Sequence, residues 1–234
     1  MNPYLEILRL NYWYRNITVV IGVIFAVFIF RLNFNQNILI DSIIVTLLAC
    51  LISAANYCLN AIIDMSFDKK HPVKKLRPLP SKRMQPEEAF IIMITLIIIS
   101  LLISYLLLNP ETTILLFLLF IAALFYNVRP FRLKDLPYVD VLSESINNPI
   151  RFLLGWSIII GQLPNILILL LIWFSASFLM TKKRLDELNE FKQKTFSYRK
   201  VFKYYSKKSL NMAMALYALL SLILVVIILN MGIL

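Results

Sequence analysis

The 234-residue sequence contains only four glycines, two cysteines and one histidine. No two of the glycines are close enough to form the glycine-rich turn of a P-loop or a dinucleotide-binding fold. Both cysteines, Cys50 and Cys58, lie in one apolar run, which argues against a disulfide framework and a zinc site. The single histidine, His71, cannot supply a histidine-based metal cluster. These shortages exclude the common nucleotide-binding and zinc-binding classes.

Charged residues are also scarce. They make up 16% of the chain, compared with about 25% in an average soluble domain, whereas 60% of the residues are apolar. A soluble domain of this size has too little interior to bury so many apolar side chains. The long apolar runs are typical of membrane-spanning helices. They are Ile17–Phe30, Ile38–Ile63, Ala89–Leu108, Thr112–Tyr126, Val139–Leu163, Ile166–Met180 and Leu210–Leu229. The sequence thus predicts one all-α, polytopic membrane bundle, residues 1–234, with about seven transmembrane helices.

Lysine and arginine residues are concentrated in alternate connections between these runs. The N-terminal segment contains Arg9 and Arg15, and the connections after the second, fourth and sixth runs contain seven, three and ten basic residues. Only Arg31 lies on the opposite side, and Arg151 lies within the fifth run. Because cytoplasmic connections are enriched in Lys and Arg, we expect a multi-pass protein of the cell membrane whose candidate active site faces the cytoplasm. The net charge of +11 is then explained by contact with membrane lipids, and no nucleic-acid-binding module is recognisable.

Three polar residues lie at the inner end of the second run at intervals of four. The segment reads Asn60-Ala-Ile-Ile-Asp64-Met-Ser-Phe-Asp68. This spacing places the three side chains on one face of a helix, one turn apart. Carboxylates next to hydrocarbon are costly and usually face a cavity or a partner. Oxygen ligands in this arrangement suit Mg²⁺.

Asp140 and Glu144 repeat this geometry near the start of the fifth run. Two acidic helix faces that open toward the same side could hold divalent ions between them. Such ions can bind a diphosphate and neutralise the charge that develops as it leaves. The alternative interpretation of the first pair is that Asp64 and Asp68 are solvated acids at the end of a helix.

Basic residues accompany both acidic pairs. Lys74 and Arg77 lie in the proline-rich connection after the first pair, and Lys134 precedes the second. Arg77 could bind a phosphate through two parallel hydrogen bonds. Arg151 lies two turns beyond Glu144 and requires a nearby anion, either a carboxylate or a substrate phosphate. Taken singly, the basic residues could instead be topology signals or lipid contacts.

The paired motifs resemble the signatures of the UbiA superfamily of intramembrane prenyltransferases. Asn60-xxx-Asp64-xxx-Asp68 followed by Arg77-Pro78 resembles the first motif, and the segment from Tyr126 to Lys134 followed by Asp140-xxx-Glu144 resembles the second. The second motif usually ends in Asp, so Glu144 is a conservative departure. The resemblance implies a helical bundle around a central cavity, in which Mg²⁺ holds the diphosphate of an isoprenoid lipid. Ionisation of that donor would give an allylic cation, which an acceptor captures.

Carried over by position, the resemblance assigns roles to individual residues. The expected metal ligands are Asn60, Asp64, Asp68, Asp140 and Glu144, and the last four are also the expected catalytic residues. The expected substrate-binding residues are Lys74, Arg77, Tyr126, Lys134, Arg151, Lys183 and Arg184.

Some features resemble a branch of the family that transfers phosphoribose from phosphoribosyl diphosphate to a polyprenyl phosphate. They are His71-Pro72-x-Lys74-x-x-Arg77-Pro78, Arg151, Lys183-Arg184-x-x-Glu187-Leu188 and the basic, tyrosine-rich stretch Tyr198–Tyr205. Phosphoribosyl transfer is therefore an alternative to prenyl transfer. A further alternative is a non-catalytic transport or assembly protein. The family typically has nine helices, so the resemblance also implies that a partner or a second copy of the chain replaces the terminal pair, or else that the cavity is open to lipid on that side.

Overall fold

The structure is a computed structural model that describes residues 2–191 and 200–232. Within these ranges the chain forms helices, short 3-10 turns and loops, and it contains no strand. The helices are α1 (Pro3–Leu8), α2 (Ile17–Ile29), α3 (Gln36–Asp68), α4 (Pro86–Leu107), α5 (Pro110–Asn127), α6 (Val139–Ser145), α7 (Asn147–Ser157), α8 (Ile166–Phe191) and α9 (Lys207–Asn230). The predicted all-α fold is confirmed.

Six segments of the described chain are long and apolar enough to cross a membrane. The first combines α1, the 3-10 turn Leu10–Asn16 and α2, and the others are α3, α4, α5, α8 and α9. The predicted fifth run, Val139–Leu163, is divided at Ile146 into α6 and α7. The polar residues of this run thus coincide with a break between two shorter helices. The six spans and this divided segment account for all seven predicted runs.

Helix ends follow from local sequence. The Asn35 side chain accepts a hydrogen bond of 2.9 Å from the backbone amide of Ile38 and caps α3, and Asn109 caps α5 in the same way through Thr112 at 2.8 Å. Such caps satisfy amide groups that a helix start leaves without a partner. At its other end α3 continues beyond its apolar run to Asp68. This extension keeps the predicted acidic face helical.

Helices α2 and α7 approach each other closely at two glycines. A Cβ atom on Gly22 would lie 2.1 Å from the carbonyl oxygen of Phe152, and one on Gly155 would lie 1.8 Å from that of Val19. Only the absence of a side chain permits this backbone contact. The contact brings Arg151, on α7, next to the residues that precede α2.

Large apolar side chains on the outside of the bundle are exposed, as expected for helices that face lipid. Ile98 and Leu102 on α4 are 57% and 53% exposed, whereas Ala54 and Ala55 on α3 are completely buried. Buried small residues allow neighbouring helices to pack closely where hydrophobicity alone does not drive them together. The helices therefore carry large apolar side chains on their outer faces and pack against each other through small ones.

Helix α8 is longer than the sequence predicted. The apolar run ends at Met180, and a basic connection was expected from Lys182 to Lys208, but the helix continues to Phe191. Lys183 and Arg184 therefore lie on a helix and not in a loop. The predicted basic stretch begins at Tyr198, which is outside the described residues, whereas Tyr205 is described.

Candidate active site

At the inner end of α3, Asp68 is bound by an arginine from the following loop. Nη1 of Arg77 lies 2.7 Å from Oδ2 of Asp68, and Asp68 is buried. The loop between them is fixed by His71, whose Nδ1 accepts hydrogen bonds from the backbone amides of Val73 and Lys74 at 3.1 and 3.2 Å. Arg77 and Lys74, both predicted to bind substrate, thus lie beside the first acidic motif.

Asp64 is bound by a lysine from the loop that precedes α6. Nζ of Lys134 lies 2.7 and 2.6 Å from the two carboxylate oxygens of Asp64, 2.9 Å from Oδ1 of Asn127 and 3.4 Å from Oδ1 of Asn60. Lys134 is buried. A residue predicted from the second motif therefore reaches directly into the first motif, and the two regions of sequence form one site.

Arg132 is a site residue that sequence reasoning did not identify. Its Nη2 lies 3.2 Å from Oδ1 of Asp64, and its Nε lies 3.0 Å from Oδ2 of Asp135. Both Arg132 and Tyr138 have positive φ, 38° and 64°, a region that non-glycine residues rarely occupy and that is often found at functional sites. The loop between α5 and α6 therefore has a constrained backbone beside the site. Arg132 could have been identified from the sequence, because it lies within the motif segment from Tyr126 to Lys134.

The second acidic pair is bound by Arg184 of α8. Nε of Arg184 lies 2.8 Å from Oδ2 of Asp140, and Nη2 lies 2.7 Å from Oε2 of Glu144. The side chains of Arg184 and Asp140 are both completely buried. One guanidinium group thus joins the two acidic residues of the predicted motif, which lie one turn apart on α6.

Two tyrosines complete the surroundings of this pair. The Tyr126 hydroxyl donates a hydrogen bond of 3.0 Å to Glu144, and the Tyr205 hydroxyl donates one to Oδ1 of Asp140. Burial raises the pKa of Tyr205, and the Asp140 carboxylate raises it further, so its hydroxyl stays protonated and remains a donor. Both oxygens of Asp140 are therefore occupied, one by Arg184 and the other by Tyr205. Lys183, also predicted to bind substrate, has its Nζ 3.8 Å from Oε1 of Glu144.

Arg151 lies deeper in the bundle and has neutral partners. Its Nε donates a hydrogen bond of 2.8 Å to Oδ1 of Asn16, and its Nη2 lies 3.5 Å from Oγ of Ser53. Arg151 forms no ion pair with a carboxylate of the described chain. The ion pair with Glu144 that sequence analysis considered is not formed, because Glu144 binds Arg184.

The oxygen donors at the inner end of α3 fit a magnesium site. In the part of the chain that the structure describes, no three acidic, cysteine or histidine side chains are grouped closely enough to hold one metal ion. Mg²⁺ is commonly bound by one or two carboxylates, with water and phosphate oxygens completing its coordination. Asn60, Asp64 and Asp68 can supply such a partial set. Asp140 fits less well, since its carboxylate is fully buried, whereas that of Asp64, which is also bound at both oxygens, is partly exposed.

A model of the UbiA prenyltransferase family matches residues 15–234 of the chain. No curated protein matches the sequence. Among solved structures, a UbiA homologue from Archaeoglobus fulgidus bound to DMAPP and Mg²⁺ has a TM-score of 0.81 and 19% identity, covering 97% of this chain and 78% of the homologue. The same homologue bound to GPP and Mg²⁺ also has a TM-score of 0.81 and 19% identity, covering 98% of this chain and 78% of the homologue.

A third similar structure comes from work on digeranylgeranylglyceryl phosphate synthase in membranes. It has a TM-score of 0.74 and 22% identity, covering 99% of this chain and 78% of the other. At these identities the likeness shows a shared fold.

Proposed function

The chain belongs to the UbiA prenyltransferase family, and from this membership we propose that it is an intramembrane transferase that binds an isoprenoid diphosphate with Mg²⁺. The observation that carries the proposal is the contact of Lys134 with Asp64 at 2.6 Å. This contact joins the second motif segment to the acidic face of α3, as expected if residues of both motifs surround one diphosphate. The solved relatives bound to DMAPP or GPP together with Mg²⁺ support this choice of ligand.

In this proposal the residues at the inner end of α3 bind and orient the donor. Asn60, Asp64 and Asp68 would hold Mg²⁺, which would neutralise the charge of the diphosphate as the carbon–oxygen bond breaks and the diphosphate leaves with the bonding electrons. Arg77 and Lys134 would then contact phosphate oxygens. Because both now pair with carboxylates, donor binding would exchange these ion pairs for contacts with metal and phosphate.

The second acidic pair has a different role in this proposal. Glu144 is partly exposed, with 19% of its side chain accessible, whereas Asp140 is completely buried. We assign Glu144, Tyr126 and Lys183 to the surface that faces the substrate. Asp140 acts as a positioning residue because it fixes Arg184, which in turn orients Glu144.

The test is to compare Asp64→Asn with wild type. Purified protein in detergent would be given radiolabelled geranylgeranyl diphosphate with and without Mg²⁺, and binding and diphosphate release in the presence of a membrane lipid extract would be measured. We expect wild-type binding to require Mg²⁺. Loss of one charge contact in such a site should lower the rate of diphosphate release by about 10²–10³-fold.

Asp41→Asn is the matched control, since it makes the same change at the opposite end of α3. It should behave as wild type. Equal diphosphate release by wild type and Asp64→Asn would contradict the proposed site.

Phosphoribosyl transfer to a polyprenyl phosphate is a second candidate. It is favoured by the placement of Lys183 and Arg184 of α8 directly against Glu144, because these residues carry the resemblance to that branch. Replacing the donor by labelled phosphoribosyl diphosphate separates the two functions. Transfer of the ribose label into the lipid fraction supports this candidate. Release of diphosphate from geranylgeranyl diphosphate but not from phosphoribosyl diphosphate supports prenyl transfer.

A further inference from the structure

The second acidic pair already holds a cation that belongs to the protein. The Arg184 guanidinium lies between the two carboxylates, with Nε 2.8 Å from Oδ2 of Asp140 and Nη2 2.7 Å from Oε2 of Glu144. These are the distances of charge-assisted hydrogen bonds. The third nitrogen, Nη1, lies 3.7 Å from Oε1 of Glu187, so one guanidinium contacts three acids. Arg184 therefore joins the two acids that the sequence predicted to share a metal ion.

Hydroxyl groups occupy further lone pairs of the same two carboxylates. The backbone amide of Tyr138 donates a hydrogen bond of 2.8 Å to the Tyr205 hydroxyl, whose own proton is directed to Oδ1 of Asp140. The Tyr126 hydroxyl donates a hydrogen bond of 3.0 Å to Oε2 of Glu144. Mg²⁺ binds through the lone pairs of oxygen ligands. In this pair those lone pairs are directed to hydrogen-bond donors of the protein.

Basic residues around Glu144 offset the negative charge of this region. Nζ of Lys183 lies 3.8 Å from Oε1 of Glu144, and Arg15 and Arg151 are further attractive neighbours of the same carboxylate. With Arg184, four basic side chains therefore act on the acids of this region. Charged groups inside a membrane bundle are stable only when they are paired in this way. The second pair thus has its counter-charge without a metal ion.

The cations at the first acidic motif are held differently. Arg77 and Lys134 are carried by connections between helices, and the side chain of Asp64 is 19% exposed. Arg184 lies within helix α8, and its side chain and that of Asp140 are completely buried. Withdrawing one partner from a buried ion pair is strongly destabilising. The first motif can therefore exchange its cations for a metal ion, whereas the second keeps Arg184.

We propose that the donor site holds one Mg²⁺, at the acidic face of α3, and that Arg184 takes the place of a second metal ion in the pair of Asp140 and Glu144. The inference rests on the proposed function, because it concerns the metal content of that same site. It differs from the expectation that both acidic motifs supply metal ligands. A cation that is part of the fold is in place before the donor binds, so it requires no reorganisation during the reaction.

The experiment counts the metal ions in the donor complex. Mn²⁺ replaces Mg²⁺, because the electron paramagnetic resonance signal of free Mn²⁺ is lost on binding. The probe is geranylgeranyl thiolodiphosphate, a donor analogue that resists ionisation, with purified protein in excess so that little analogue remains free. Protein alone and analogue alone in the same detergent are the blanks. We expect one Mn²⁺ per analogue, with the spectrum of an isolated ion.

Two variants separate the motifs in the same titration. Asp64→Asn should weaken Mn²⁺ uptake by at least about tenfold, since loss even of an outer partner of a metal site has effects of this size. Glu144→Gln should still take up one ion per bound analogue, because Glu144 is not a metal ligand in this proposal. Asp41→Asn, at the opposite end of α3, is the matched control and should behave as wild type.

The count in wild type decides the proposal even if a variant is unstable. Two ions per analogue with a spin-coupled spectrum, one of them lost in Glu144→Gln, would overturn the single-metal site but would leave the proposed transferase function intact. Uptake no greater than that of the analogue alone would contradict the proposed function as well, because the protein would then not bind the donor with a metal ion.

Discussion

Each predicted acidic residue is neutralised by a basic side chain from a different part of the chain. Arg77 binds Asp68 from the following loop, Lys134 binds Asp64 from the α5–α6 connection, and Arg184 binds Asp140 from α8. Removing one partner of a buried pair leaves an uncompensated charge and is strongly destabilising. The site residues are therefore also structural residues, and a variant of either partner in these pairs requires a measurement of stability beside that of activity.

Arg184→Met should strongly destabilise the protein. The change leaves the fully buried Asp140 and the partly buried Glu144 without their shared cation. Breaking such a pair from one side costs about 3–5 kcal/mol, which chemical denaturation in detergent followed by circular dichroism would measure.

Arg83→Met is the control for this prediction, since Arg83 pairs with Glu6 at the surface and exposed pairs contribute little. It should unfold nearly as wild type does. Adding Asp140→Asn to Arg184→Met should recover part of the lost stability. Similar stability of Arg184→Met and Arg83→Met would show that the buried network is not important for the fold.

His71 should respond to pH in the range below neutrality. Burial and, to a smaller extent, the charge of Lys74 lower the pKa of His71, and its neutral Nδ1 accepts two backbone hydrogen bonds. Because the folded pKa is below the unfolded value of about 6.5, protonation favours the unfolded loop. The stabilisation is complete above about pH 6.5 and is lost as the pH falls through the folded pKa.

The chain has one histidine, so its titration by NMR is unambiguous. We expect a midpoint below that of a denatured sample. His71→Ala should remove the dependence of loop stability on acid pH. A midpoint at or above the denatured value would refute the prediction, because it would mean that the folded loop favours the charged imidazole.

At the scale of helices, the sequence predicted those elements whose signal is local. The seven apolar runs and the spacing of Asn60, Asp64 and Asp68 depend on nearby residues, and α3 is helical throughout that motif. The extension of α8 to Phe191 was missed because its polar last turns lack the apolar character by which spans were recognised. Contacts such as that of Arg132 with Asp64, 68 positions apart, depend on helix packing, which spacing along one segment does not reveal.

Gly155→Ala should separate α2 from α7. The added Cβ would lie 1.8 Å from a backbone oxygen of α2, and backbone atoms cannot rotate away as a flexible side chain can. We expect a loss of about 1–3 kcal/mol in stability, the usual cost of overpacking. The shift should also weaken the contact of Arg151 with Asn16.

Gly161→Ala is the matched control, since nothing lies within 4 Å of a Cβ added there. It should retain wild-type stability in the same denaturation experiment. If Gly155→Ala were as stable as Gly161→Ala, the close helix contact would not exist in the membrane.

For the whole molecule, the distribution of charge predicts its orientation. The connections that contain Lys70 and Arg132 are on the same side of the bundle as the acidic site, whereas the connection that contains Gln162 is on the opposite side. Basic connections are retained in the cytoplasm. A water-soluble diphosphate group would then approach the site from the cytoplasm, and a lipid substrate would enter between the helices.

Cysteine labelling should demonstrate this orientation. The native cysteines, Cys50 and Cys58, are buried, so they should contribute little background. Lys70 and Gln162 are both exposed. In intact cells a membrane-impermeant maleimide should label Gln162→Cys but should label Lys70→Cys only after permeabilisation. The reverse pattern would place the diphosphate site outside the cell, away from cytoplasmic donors, and would contradict both the orientation and the proposed route of the substrate.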